Sequence, residues 1–231
     1  MGWRTNGLVL KLRKTGRILG LNRWIVYFFY GDGYETIYEQ QLSNSINQGD
    51  CVWDIGANIG YYTRNFSECV GMAGSVFSFE PSPVNFKRLS EQCSTLSNVT
   101  LLQYGLGNAN ETLSLQQGDD ELGATSRIVK DDATGMVVEV RHGDSLVADG
   151  VVRQPNVVKI DVEGFEVEVL EGITNLLMHE ELRVIGLEVH FGLLEDRGLG
   201  DAPQKIEQKL RGLGFLVSWP DSSHMLAQRS V

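Results

Sequence analysis

One stretch, CVWDIGANIG at residues 51–60, constrains the rest of the chain more than any other. Val52 and Trp53 read as the end of a buried strand that Asp54 closes. Gly56, Asn58 and Gly60 then form a tight turn into a helix that starts near Tyr61. Strand, glycine-rich turn and helix N-terminus in that order make a nucleotide or anion site, because backbone N–H groups and the positive end of the helix dipole face the ligand. Glycine at these positions lets a ligand approach the backbone, which a side chain would block.

The spacing is G-x-N-x-G, whereas binders of nicotinamide and flavin dinucleotides seat a pyrophosphate on G-x-G-x-x-G. A ligand without pyrophosphate fits this turn better, and Asp54 suits one that carries positive charge. S-adenosylmethionine, with an ammonium and a sulfonium, has both properties. A second apolar strand, SVFSFE, ends in Glu80, 24 residues after Gly56. A carboxylate at that tip is where a doubly wound fold holds a ribose diol. Ser82 then reads as a helix N-cap and Pro83 as the first helical residue.

From residue 50 strands and helices alternate. Strands are expected over 75–79, 99–104, 156–161 and 183–190, with helices over 61–69, 83–96, 165–178 and 202–213 and a closing hairpin of 215–219 with 225–229. Residues 108–143 break the rhythm with three short strands, the pattern of an antiparallel β insertion. The expected fold is α/β: a class I, Rossmann-like, doubly wound and mostly parallel seven-stranded sheet, its ligand at the carboxyl ends of the first strands. The domain would span 49–231. Residues 1–48 would form an accessory hairpin and helix, with strand patterns at 7–21 and 24–30 and a helix at 34–46.

Two strand ends carry polar groups where buried parallel strands are normally apolar. In VVKIDVEG, Lys159 and Asp161 share a face, with Glu163 following; in VIGLEVH, Glu188 and His190 share one. If these strands are neighbours, all five groups border the ligand. Singly, Lys159 and Glu188 read equally as a buried ion pair, and His190 as a core histidine. His142, His179 and His224 look incidental. No histidines or cysteines lie at metal-ligand spacing, so no metal site is assigned, although Mg²⁺ held by Asp161, Glu163 and an acceptor hydroxyl is conceivable.

Charge narrows the partners. The chain carries −10 overall, yet residues 1–30 hold six Lys/Arg and no acid, leaving 14 basic and 30 acidic residues elsewhere. An acidic body argues against a nucleic-acid partner. The basic, aromatic segment 1–30 could touch a membrane surface or cover the acceptor site. Three unclustered cysteines, no bilayer-length apolar run and no signal-peptide core point to the cytoplasm. Oligomeric state is not legible.

With DIGANIGYYT, FEPSP, GLGN, KIDVEG followed by VLEG, and LEVH laid out in order, the chain resembles the FkbM family of S-adenosylmethionine-dependent methyltransferases from about residue 49 to 191. The resemblance implies O-methylation of a hydroxyl on a sugar, glycan, glycolipid or secondary metabolite. By motif position Asp54, Gly56, Asn58 and Gly60 would line the methionine part of the cofactor, Glu80 with Ser82 the ribose, and Gly105 and Leu106 the adenine. Asp161 would sit by the methyl group. His190 is the first candidate general base, since an unperturbed histidine titrates near working pH, with Asp161 or Glu163 second. The rival readings are a non-catalytic cofactor-binding scaffold, a nitrogen methyltransferase (no Asn/Asp-Pro-Pro-aromatic motif supports it) and, weakest, a nicotinamide dehydrogenase.

Overall fold

A computed structural model describes residues 34–116, 127–129 and 135–229. The expected strands at 7–21 and 24–30, and the basic segment, lie outside the described residues. In chain order the elements are α1 (Tyr34–Asn44), β1 (Cys51–Ile55), α2 (Tyr61–Val70), β2 (Ser75–Phe79), α3 (Pro83–Cys93), β3 (Val99–Leu102), β4 (Gly105–Gly107), β5 (Glu111–Gln116), β6 (Arg127–Val129) and β7 (Met136–His142). There follow α4 (Gly143–Ala148), β8 (Val157–Ile160), α5 (Glu166–Gly172), α6 (Thr174–Met178), β9 (Val184–Glu188), α7 (Phe191–Asp196), α8 (Ala202–Gly212), β10 (Phe215–Ser218) and β11 (His224–Arg229).

The main sheet has seven strands in the order β10-β11-β9-β8-β1-β2-β3. β1, β2, β3, β8 and β9 run parallel, and β11 is antiparallel to both β9 and β10. The chain builds outward from β1 through β2 to β3, then returns to lay β8 on the other side of β1. That reversal leaves a crevice beyond the carboxyl ends of β1 and β8, where ligands of doubly wound sheets bind.

Alternation along the strands explains both faces. Val52, Val76, Val157 and Val184 are register neighbours and pack with Tyr38 and Leu42 of α1 and Phe66 and Val70 of α2. Trp53, Phe77, Val158 and Ile185 point the other way, into the larger core under α5, α6 and α8. With apolar side chains on both faces, β1 and β8 are buried throughout, as the centre of a parallel sheet requires. Ser82 caps α3, accepting from the Asn85 N–H at 3.4 Å, and Pro83 occupies its first turn.

The insertion is a separate four-stranded sheet, ordered β4-β7-β5-β6. It begins at 105 rather than 108, because Gly105–Gly107, expected as a turn, pairs in parallel with β7. Leu106 and Val140 thereby enter the main core beside Phe165 and Ile173. The fit is close: a Cβ on Gly172 would lie 1.9 Å from the Gly107 carbonyl oxygen. The helix expected over 165–178 breaks at Ile173, whose φ of −121° leaves the helical region, and becomes α5 and α6. The short helices α4 and α7 were not foreseen. β8 and β9 stop short of their expected ends, so Asp161 and His190 stand just past the strand tips rather than within the sheet.

Candidate active site

The crevice at the switch point is a cavity of about 590 Å³, partly open to solvent. Its walls include Gly56 and Asn58 after β1, Glu80 after β2, Gly105 and Leu106 of β4, and Asp161 and Glu163 after β8, with Leu115, Ile128 and Phe165 as apolar surface. Three carboxylates and no lysine or arginine appear in this described lining. A pyrophosphate would find no counter-charge there, whereas a sulfonium and an ammonium would. The apolar side, Leu106 with Ile128 and Phe165, suits a flat purine. The residues present therefore fit S-adenosylmethionine by charge and surface.

Packing shapes the glycine turn. Gly56 has φ +78°, and a Cβ there would sit 1.8 Å from the Asp161 carbonyl oxygen. Gly60, at φ +93°, would press its Cβ to 2.8 Å from Leu89 of α3. Both positions require glycine in any case, because the backbone is left-handed and a neighbouring element closes on it, a demand that adds to the ligand approach expected from the sequence. Gly105 stands beside the cavity wall, where a Cβ would meet Ile128 at 3.2 Å.

Glu80 ties two loops together. Its Oε2 accepts the Asn58 N–H and its Oε1 the Ser82 N–H, each at 2.8 Å. Burial pushes its carboxyl up from 4.5 to about 7, against the pull of those two N–H groups and of Lys159. Ser82 is itself buried and occupied with capping, so it reaches the site through Glu80 rather than by its hydroxyl.

Asp54 differs from expectation. It is fully buried, accepts the Thr63 hydroxyl at 2.7 Å, and lies 3.1 Å from Lys159 Nζ. Its charge is thus met inside the protein instead of by a ligand cation. Lys159 also donates to the Gly56 carbonyl at 2.9 Å and lies 3.7 Å from Asp161. Burial alone would lower the Lys159 pKa, but the charges of Asp54 and Asp161 outweigh it and hold the ammonium above its ordinary range. The ion pair considered between Lys159 and Glu188 is replaced by Lys159–Asp54, since Lys159 and Asp54 are register neighbours on β8 and β1.

β8 and β9 are adjacent and parallel, and their tips bring the remaining groups together. His190 Nε2 lies 3.4 Å from Glu163, 3.7 Å from Asp161 and 3.8 Å from Glu188. Its Nδ1 is 2.6 Å from Oε1 of Glu166, a fully buried carboxylate. That same oxygen accepts the backbone N–H of His190 and of Gly164, so it is an acceptor and Nδ1 carries the proton. Burial opposes charging His190, but Glu163, Glu166 and Glu188 outweigh it and hold the ring well above the usual 6.5. The premise that made His190 the first candidate base, an unperturbed pKa, does not hold in this setting. Asp161 is pushed up by burial and by Glu188, which brings its basicity closer to what proton abstraction needs.

Sequence reasoning passed over Glu166, although an acid in step with Val169, Leu170 and Ile173 on a buried helical stripe was the available signal. It also set His224 aside. Antiparallel pairing places His224 opposite Glu188, with 3.7 Å between Nε2 and a carboxylate oxygen, while Asp221 holds Nδ1 at 2.8 Å and Tyr38 stacks on the ring at 4.1 Å. No signal in a single chain announces that pairing. Beside it, Trp219 from the β10–β11 turn stacks on Phe191 at 5.9 Å.

Comparison with known proteins agrees with this geometry. The methyltransferase FkbM domain matches residues 54–217. The hexuronic acid methyltransferase AglP of Haloferax volcanii is 34% identical over 154 residues, covering 66% of this chain, which spans 61% of the length of that relative. Among solved structures, a precorrin-6y C5,15-methyltransferase from Geobacter metallireducens GS-15 superposes with a TM-score of 0.51 at 15% identity, over 84% of this chain and 87% of its own. The fibrillarin/Nop5p complex gives 0.51 at 15% identity, over 84% and 81%. At that identity the structural likeness speaks for the fold alone.

Proposed function

This chain belongs to the FkbM methyltransferase family, and from that footing we propose that it transfers the methyl group of S-adenosylmethionine to a hydroxyl oxygen of a sugar or glycan. The observation that carries the reading is the cleft at the switch point, lined by carboxylates and apolar side chains and by no basic residue among those described. The relative that acts on a hexuronic acid favours a sugar as acceptor.

When bound, S-adenosylmethionine supplies an electrophilic methyl on a sulfonium. The turn at Gly56, Asn58 and Gly60 and the start of α2 would hold its amino-acid tail, Glu80 the ribose hydroxyls, and Gly105 and Leu106 the base. Asp54 contributes by fixing Lys159, which in turn anchors the Gly56 carbonyl and so the shape of the turn. The apolar wall of Leu106, Ile128 and Phe165 excludes water from one side of the cleft.

An acceptor hydroxyl must lose its proton as the new bond forms, and catalysis rests on holding the reacting atoms about 3–3.5 Å apart and in line. Asp161 and Glu163 stand in the cleft as proton acceptors, with His190 held beside them to compensate their charge. Lys159 and Glu188 complete the charged surround.

Calorimetric titration of the purified protein with S-adenosylhomocysteine, followed by screening of uronic acid and neutral glycans for methyl uptake, tests the proposal. His190→Ala should abolish turnover and leave cofactor affinity unchanged. No cofactor binding by folded protein would overturn the reading, and cofactor affinity lost in His190→Ala would move that side chain from the acceptor to the cofactor.

A further inference from the structure

We infer that Asp161, Glu163 and His190 form a binding site for a divalent cation of mixed nitrogen and oxygen preference, such as Mn²⁺. Each offers one ligand atom, and these atoms lie within 4.8 Å of one another. Two atoms bonded to one ion at about 2.1 Å stand about 3.0 Å apart at right angles and about 3.4 Å apart in a tetrahedron. The Glu163 and Asp161 oxygens are 3.4 and 3.7 Å from His190 Nε2, so each of those two edges needs a shift of a few tenths of an ångström at most, while the third edge, between the two carboxylates, lies within 4.8 Å and closes by rotation of the carboxylate groups.

The imidazole separates this group from an ordinary cluster of surface acids. His190 is mostly buried, and the fully buried Glu166 takes its Nδ1 proton at 2.6 Å. This leaves Nε2 as the ring atom aimed at the two carboxylates; a bound cation displaces the proton on Nε2 to solvent and takes over the charge compensation that the imidazolium otherwise supplies. A carboxylate behind a histidine in this way orients metal-bound imidazoles and raises their basicity. The Glu188 carboxylate, 3.8 Å from the same Nε2 and tethered to His224 on its other side, forms the outer support.

The ligand set differs from the all-oxygen arrangement considered for Mg²⁺ from the sequence. One nitrogen and two carboxylates favour Mn²⁺ or a neighbouring transition ion over Mg²⁺. Asp161 and Glu163 both line the cleft, so the open coordination positions face the acceptor side. There the ion can hold acceptor oxygens, including the carboxylate of a uronic acid, which the bare acidic wall would repel. This last role rests on the glycan acceptor proposed above; the binding site itself does not.

Mn²⁺ titrated into the purified, chelator-treated protein, with free Mn²⁺ followed by electron paramagnetic resonance, tests the site without acceptor or turnover. Saturable binding of one ion per chain is expected, weakened about tenfold or more by His190→Ala, Asp161→Asn or Glu163→Gln and also by Glu166→Gln. S-adenosylhomocysteine binding and thermal unfolding of each variant report whether it folds; where His190→Ala does not, the Asp161 and Glu163 variants carry the test. Absence of saturable binding to the folded protein, or binding that all three ligand variants leave intact, overturns the inference. Mn²⁺ binding with no cofactor binding would sustain the cation site and strike the methyltransferase reading instead.

Discussion

Lowering the pH from about 8 to about 6 should weaken S-adenosylhomocysteine binding about tenfold through Glu80. This side chain is 5% exposed, and burial raises its carboxyl from 4.5 to about 7. A ribose diol donates two hydroxyls, and an ionised carboxylate accepts both more strongly than a neutral acid can. Affinity should therefore follow the ionised fraction, about nine-tenths at pH 8 and about one-tenth at pH 6, a ratio worth about 1.4 kcal/mol. The free protein's stability moves in the opposite sense. Because the folded pKa is raised, the folded state holds this proton more tightly. The contribution is fully present below about 4.5 and is lost as pH rises toward about 7, on the order of 3 kcal/mol in all. Calorimetry at both pH values on wild type and Glu80→Gln is the assay. The glutamine amide can accept at only one oxygen, so Asn58 or Ser82 loses a partner, and a melting curve should first establish that the variant folds. Equal wild-type affinity at the two pH values, or a dependence that survives in Glu80→Gln, would refute the reasoning.

Lys159→Met should cost about 3–5 kcal/mol in chemical denaturation, because it strands the buried Asp54 charge. Adding Asp54→Asn should recover much of the loss, and failure to do so would deny the pair its place. Glu166→Gln should lower turnover by about 10–100-fold with cofactor affinity unchanged, through a misdirected His190 ring; undiminished turnover would make Glu166 a bystander. Gly56→Ala should destabilise the fold by at least about 2 kcal/mol and impair cofactor binding, since it meets both an unfavourable φ and the Asp161 carbonyl. A smaller effect, read by the same denaturation assay, would mean that the turn has slack.

Much of the architecture was legible because burial leaves a plain mark on sequence. β2 is an apolar run followed at once by an acid, as expected, whereas β1 continues one residue past Asp54 to Ile55; Ser82 with Pro83 announces a helix start that the structure repeats. The grouping of Asp161, Glu163, Glu188 and His190 also followed from placing β8 beside β9. What could not be read were contacts set by register and by pairing across long separations. Lys159 faces Asp54 because β8 lies alongside β1 at that residue, and a list of charges gives Glu188 the same standing. The glycine turn was located from the sequence but its packing demand was not, since nothing in 51–60 shows that the Asp161 carbonyl will lie against Gly56. The breaks that end α5 and start α6 answer to the β4 strand pressed against Gly172, a tertiary demand that overrides a continuous helical pattern.

The reversed direction of β11 alters who can contribute to acceptor choice. A parallel strand offers the crevice only its last residues, but β11 enters the sheet from that side and offers its first, His224. The turn before it is carried to the same rim, where the Ser223 carbonyl accepts the Val189 N–H at 2.8 Å and Trp219 lies on Phe191. Positions 219, 220 and 222 of this turn can therefore change chemistry near the β9 tip while the parallel strands stay untouched, provided Asp221 keeps its hold on His224. On the proposed reading, selection or a library of variants at these three positions retargets the acceptor independently of the methyl donor.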